Sequence, residues 1–282
     1  MLIEPAVAGE ALLEDIRQAN VRDGGFRLWW LGQSGFLLQW EGRHLLFDPY
    51  LSDSLTRKYA ATDKPHVRMT ELAICPERLD FIDVATSSHN HTDHLDAETL
   101  GALLAANPNL VLVIPEANRA FVAGRLRIPA AQPLGLDDGG WCAARGFRIS
   151  AVPSAHEEVD RDDGGRCKYL GYVVQFGGFS VYHSGDTVRY PGMAEKLRPF
   201  GVDVALLPIN GRAPERRVAG NLSGAEAALL AHDMGAKLVI PCHYEMFAFN
   251  TASPEEFASA CKRLGQPYRV VRCGERWTWG LE

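Results

Sequence analysis

No run of about 18 or more apolar residues occurs in the 282-residue chain, which excludes a membrane-spanning helix. Cysteine is scarce and scattered: the six residues at 75, 142, 167, 242, 261 and 273 contain no C-x-x-C pair. Neither a disulfide framework nor a structural zinc knot is expected, and a reducing, cytoplasmic setting fits. Basic residues are not in excess: 29 Lys and Arg stand against 35 Asp and Glu, a formal charge of −6. A nucleic-acid backbone would favour a strongly basic face, so nucleic acid is not the expected partner. The first twenty residues carry acid early and lack a basic start with an apolar stretch behind it, so no secretory signal is expected. No Pro/Gly/Ser-rich linker divides the chain either. What remains is an ordinary globular composition, 46% hydrophobic and 23% charged, long enough to bury a substantial core.

Periodicity supplies the elements. Leu12, Leu13 and Ile16 share one face of a short amphipathic helix expected over Gly9–Val21. Strands are expected at Phe26–Leu31, Gly35–Trp40, His44–Phe47, Phe81–Ser87, Leu110–Ile114 and Leu238–Ile240. Asp96 can cap a helix running to about Ala106, and Ser223 with Glu226 forms a capping box for a helix ending near Gly235. Another helix should begin at Ser253, Pro254 and Glu256 and stop at Gly265. The polar segment Glu157–Arg166 reads as a mobile excursion.

The chain also repeats itself. Gly35-Phe-Leu-Leu-Gln-Trp-Glu-Gly42 aligns with Gly171-Tyr-Val-Val-Gln-Phe-Gly-Gly178. Asp83-Val-Ala85 aligns with Asp203-Val-Ala205, and Leu112-Val-Ile-Pro115 with Leu238-Val-Ile-Pro241. Three weak matches in one order, at similar spacings, suggest two related halves, each a hairpin followed by alternating strands and helices. Two sheets packed face to face with helices outside would bury both halves in one core, an α/β fold.

Chemistry concentrates at residues 89–94, His-Asn-His-Thr-Asp-His, at an expected strand-to-helix junction. A loop there can fan successive side chains around one point. Only nine histidines occur in the chain, so three within six positions is not a chance loop composition. Imidazole nitrogen mixed with carboxylate oxygen suits zinc, manganese or iron better than magnesium or calcium.

This hexapeptide is an H-x-H-x-D-H motif, and the chain resembles the metallo-β-lactamase superfamily. The resemblance covers nearly the whole sequence, because His156 in Val-Pro-Ser-Ala-His, Asp186 in Tyr-His-Ser-Gly-Asp and His243 in Ile-Pro-Cys-His follow in order, each after a strand. It implies an αββα sandwich forming a single metallo-hydrolase domain over residues 1–282. It also implies two divalent ions, manganese or zinc: His89, His91 and His156 around one, Asp93, His94 and His243 around the other, and Asp186 bridging. The segments Trp30-Leu-Gly-Gln-Ser-Gly-Phe36, Asp48-Pro-Tyr-Leu-Ser-Asp53, Leu207-Pro-Ile-Asn-Gly-Arg212 and His243-Tyr-Glu-Met-Phe247 look like the L-ascorbate-6-phosphate lactonase-like branch. Lactonases of that branch can carry an acidic residue where this chain has His156.

A metal lowers the pKa of bound water from 15.7 toward roughly 7, so a metal-bound hydroxide would be available to attack an electrophilic carbonyl or phosphorus. Asp93 would orient that nucleophile or shuttle its proton as well as bind metal. His183, just before Asp186, is read either as support behind a ligand or as a buried strand histidine. Arg212 leads the candidates for an anionic substrate group, because the repeat places its turn opposite the histidine loop. Arg57, Lys58 and Arg189 follow, each equally readable as a solvated surface charge. The expected function is hydrolysis of a small anionic ester or lactone. A phosphodiesterase or nuclease-like hydrolase and a non-catalytic metal-binding protein are the alternatives, and a homo-oligomer is compatible with either.

Overall fold

The computed structural model describes residues 1–19 and 24–280. Helices are α1 (Gly9–Gln18), α2 (Ser54–Tyr59), α3 (Ala97–Ala106), α4 (Arg119–Leu126), α5 (Met193–Leu197), α6 (Gly224–Met234) and α7 (Glu255–Leu264). The first strands are β1 (Phe26–Trp30), β2 (Phe36–Trp40), β3 (Arg43–Phe47), β4 (Val84–Thr86), β5 (Val111–Pro115) and β6 (Leu134–Leu136). The others are β7 (Trp141–Ala144), β8 (Phe147–Pro153), β9 (Leu170–Phe176), β10 (Phe179–His183), β11 (Val204–Pro208), β12 (Leu238–Cys242) and β13 (Arg276–Trp279). They build two sheets, ordered β13-β1-β2-β3-β4-β5-β6 and β12-β11-β10-β9-β8-β7. The two sheets contribute to one apolar core, with helices between their strands along the chain, an α/β sandwich.

The two sheets share one plan. From β13 to β3 the first is antiparallel, then parallel through β4 and β5; from β7 to β10 the second is antiparallel, then parallel through β11 and β12. Residues matched by the repeat make the same bonds. The Asp83 carboxylate accepts from His44 N at 2.9 Å while Asp83 N donates to the His44 carbonyl. Asp203 does the same with Ser180, its carboxylate accepting at 2.8 Å. One apolar cluster draws on both sheets, joined by edge-on aromatic contacts such as Phe26 with Phe176 at 5.3 Å.

Local signals act as expected at the helix ends. Ser223 and Glu226 make the reciprocal capping box of α6, Asp96 accepts from Thr99 N to cap α3, and Gly235 and Gly265 close α6 and α7 in the left-handed region. Helix α1 buries Leu12, Leu13 and Ile16 and ends at Gln18; the expected end at Val21 lies outside the described residues. The strand expected over Phe81–Ser87 is only Val84–Thr86, although Asp83 N still donates to the His44 carbonyl and Ser87 N to the Val113 carbonyl at its two ends. Within the segment 157–166, expected as a mobile excursion, a tight turn is centred on Asp162. Asp162 accepts from Gly164 N and Arg166 N, both at 2.9 Å, and Arg161 pairs with Cys167 as an isolated bridge. No helix among the described residues is long and apolar enough to cross a membrane.

Candidate metal centre

Every residue of the candidate site follows the C-terminal end of a strand: 89–94 after β4, His156 after β8, Asp186 after β10 and His243 after β12. Two groups result, His89–His91–His156–Asp186 and Asp93–His94–Asp186–His243, with the ligand atoms of each within 4.8 Å of one another. They share Asp186. Its Oδ1 lies 3.2 Å from His94 Nε2, and its Oδ2 lies 3.2 Å from His243 Nε2 and 3.4 Å from His156 Nε2.

Hydrogen bonds behind the rings aim the nitrogens. Asp48, fully buried at the end of β3, accepts from His94 Nδ1 at 2.8 Å. Ser88 Oγ also donates to Asp48, so its lone pair accepts from His89 Nδ1 at 3.0 Å. His156 Nδ1 donates to the Gly220 carbonyl at 2.8 Å. With Nδ1 protonated in all three, each Nε2 keeps its lone pair for the centre. Gln33 Nε2 donates to Asp93 Oδ2 at 2.7 Å and lies 3.0 Å from His243 Nε2.

Backbone conformation is part of the construction. Gln33, Asp48 and His243 all adopt positive φ, at 49°, 36° and 62°. Such conformations cost about 1–3 kcal/mol each for non-glycine residues, and the surrounding packing must hold them. Gly185, at φ +60°, packs so closely on Ser88 that a Cβ would lie 2.5 Å from it. A side chain there would push apart the two loops that carry Asp186 and the histidines.

The donor set fits divalent cations. His89 Nε2, His94 Nε2 and Asp186 Oδ1 are buried and lack any hydrogen-bond partner, which is costly unless something else satisfies them. Burial pushes His89 well below the ordinary imidazole range, with His94 and His91 adding to the effect, so it presents a neutral lone pair. Burial opposes charge on His243 and His94 too, but Asp186 and Asp93 outweigh it, raising His243 to about 9 and His94 well above its usual value. Without metal, protonated imidazoles stand where the carboxylates call for positive charge. Asp186 stays well below the usual carboxylate range although burial works against it, held there by His243 and His94.

The cluster forms one wall of a cavity of about 390 Å³. Asp93 is its most reachable carboxylate, 16% exposed against 4% for Asp186. Of the four basic residues expected to meet substrate, Lys58 lines this cavity. The other three, including Arg212, which was expected first, do not line it. Arg212 gives its fork to Glu226 at 2.6 and 2.9 Å, because the capping box fixes Glu226 within reach. Arg57 pairs with Glu98, and Arg189 with Asp233. The loop after Arg212 does reach the cavity, through Arg217, Val218 and Ala219. His183 donates from Nε2 to the Ser34 carbonyl at 2.8 Å and accepts from Gly185 N, so both nitrogens are used and it braces the turn before Asp186. Cys242 is buried in the core.

Sequence reasoning missed Asp48, Gln33, Ser88 and the cavity cation Arg125. Asp48 left a signal as a carboxylate ending an apolar strand, and Gln33 lies in the branch-like segment Trp30–Phe36.

Comparison with known proteins settles the lineage. Residues 27–243 match the model of the beta-lactamase superfamily domain. The chain belongs to the metallo-β-lactamase superfamily. A UPF0173 metal-dependent hydrolase of Opitutus terrae is 31% identical over 255 residues, which cover 88% of this chain and 98% of the relative. A probable L-ascorbate-6-phosphate lactonase of Salmonella heidelberg is 23% identical, covering 97% of this chain and 86% of its own. The isothiocyanate hydrolase from Delia radicum gut bacteria shares the fold, with a TM-score of 0.71 at 18% identity over 91% of this chain and 100% of that one. Within this superfamily the protein is an enzyme, a metal-dependent hydrolase, and its His/Asp cluster is able to bind metal ions.

Proposed function

We propose that the protein hydrolyses a small anionic ester or lactone, using two divalent ions, manganese or zinc. The observation that carries this reading is the sharing of Asp186 by two complete donor groups on one cavity wall. Seven donors exceed what one ordinary centre with a free position needs. In this reading His89, His91 and His156 hold one ion, Asp93, His94 and His243 the other, and Asp186 bridges.

Bound ions would supply a Lewis acid for the substrate oxygen and acidify a water at neutral pH. Asp93 faces the cavity and takes the proton from the attacking water, while the Gln33 amide steadies the carboxylate. Lys58 and Arg125 around the cavity favour an anionic substrate, whereas Arg217 there is paired with Asp63 at 2.9 Å. The cavity size suits a small molecule rather than a macromolecular partner, and the lactonase relative supports the lactone class. The scarce, unpaired cysteines support a cytoplasmic setting.

The test loads purified protein with manganese or zinc and assays lactones and esters, each with a carboxylate or phosphate and as a neutral analogue, beside cyclic and linear phosphodiesters. Faster turnover of the anionic lactones or esters supports the reading. Turnover of phosphodiesters alone would replace it.

A further inference from the structure

The aromatic residues beside the cavity belong to a cluster of their own. Tyr50, Leu55, Met246 and Phe247 form an apolar group separate from the main core, with Tyr59 and Phe249 packed against it. Leu55, Tyr59, Phe247 and Phe249, together with His66, also line the metal-site cavity. His66 ties the wall together: its ring stacks on Tyr59 at 4.1 Å and meets Phe249 and Phe247 edge-on at 4.6 and 5.2 Å. Its Nδ1 lies 3.1 Å from the Lys64 carbonyl, which can only accept, so Nδ1 carries the proton. Burial lowers the pKa of this imidazole, which keeps the ring neutral and able to stack. Two ammonium groups border the wall, Lys58 over Tyr59 at 5.0 Å and Lys64 over Phe249 at 5.2 Å. Neither has a carboxylate within salt-bridge distance among the described residues, although 29 basic and 35 acidic residues leave no shortage of acids.

We propose that Tyr59, His66, Phe247 and Phe249 form a subsite for a planar, unsaturated or aromatic ring of the substrate, whose anionic group is anchored by Lys58. Placed on one side of the metal-site cavity, the four rings offer the offset and edge-on contacts that planar rings prefer over puckered ones. A saturated ring of equal size would bury similar area without those contacts. This subsite deepens the reading of the protein as a hydrolase of small anionic esters or lactones, and rests on it for the position of the scissile bond.

The test measures binding rather than turnover. Calorimetry on the zinc-loaded full chain compares benzoate with cyclohexanecarboxylate, a pair in which any carboxylate contact to the ions cancels. The wild type is expected to bind benzoate about two- to tenfold more tightly, the range for an aromatic pair beyond simple burial. Phe249→Leu should remove most of that preference with metal content unchanged; Tyr59→Leu is the second variant should the first misfold. Lys58→Met should weaken both ligands alike. Equal binding of the two acids by the wild type overturns the ring subsite, and unchanged affinity in Lys58→Met overturns the anchor. A ring preference without hydrolysis of any lactone or ester would sink the proposed reaction and keep the subsite. Hydrolysis without ring preference would do the reverse.

Discussion

The two halves of the sandwich share a strand plan, yet they spend corresponding positions on different tasks. After β4 the first half places four candidate ligands in six residues; after β11 the second half places Ile209, Asn210, Gly211 and Arg212, none of which joins the cluster. Where β3 of the first half ends at Phe47 and is followed by Asp48, β10 of the second ends at His183 and is followed by Ser184. Phe47 and His183 stack across the interface at 5.0 Å, so the equivalent strand ends meet at the centre of the molecule. Beyond them the first half supplies the buried carboxylate that aims His94, and the second supplies Asp186, the shared donor. A duplicated scaffold thus carries an unduplicated site, with the histidine loop from one half and the shared Asp186 from the other.

The comparison can be broken by exchanging corresponding features. The largest effect is expected at Asp93, which has no acidic counterpart in the second half. Asp93→Asn should cost about 10²–10⁴ in turnover, the range for losing a positioned proton acceptor, while the fold survives. Steady-state kinetics on protein of matched metal content would check it.

Next comes His44, whose counterpart Ser180 cannot titrate. Burial lowers the His44 pKa from 6.5 to about 4, against the pull of Asp83, so the folded state prefers the neutral ring. Its Nε2 lies 2.9 Å from the Gln39 amide nitrogen, a donor, which a protonated ring could not accept. The unfolded chain takes up the proton first as pH falls below 6.5. Stability from this residue is therefore complete above that value and is lost between pH 6.5 and 4, up to about 3 kcal/mol. Denaturant titrations across this window should slope less in His44→Ser, which copies the second half. An unchanged slope would assign the acid sensitivity to other groups.

A smaller loss is expected from Asp48→Asn, which leaves His94 without its charged partner. Metal affinity should fall about 10–100-fold, the usual cost of losing support behind a ligand. Ser184→Ala, the corresponding change in the other half, should leave affinity unchanged. Equal losses in a competition titration would mean that both strand ends act only through packing.

The smallest effect belongs to Arg212→Ala. Its partner is Glu226 and its side chain is 52% exposed, so about 0.2–1 kcal/mol of stability should be lost. The KM for an anionic substrate should not change; a large rise would return Arg212 to the substrate.

The repeat and the histidine cluster were legible because both are local in sequence: adjacent ligands and alternating apolar strands need no knowledge of distant partners. Asp48 was legible only as a strand ending. Its role depends on His94 and Ser88, some forty residues away. Strand β13 pairs with β1 from the opposite end of the chain, and nothing in Arg276–Trp279 announces that partner. Arg212 illustrates a different limit. Aligning two halves locates a loop, but a side chain's direction is set by its neighbour, here a glutamate already fixed by a capping box.

The central claim is that the two halves together build one two-ion centre around Asp186. Anomalous scattering from crystals grown with manganese or zinc, with elemental analysis of the same protein, tests it most directly. Two ions per chain, both contacting Asp186 and one contacting His156, are the predicted result. One ion per chain, with His156 turned away, would contradict it.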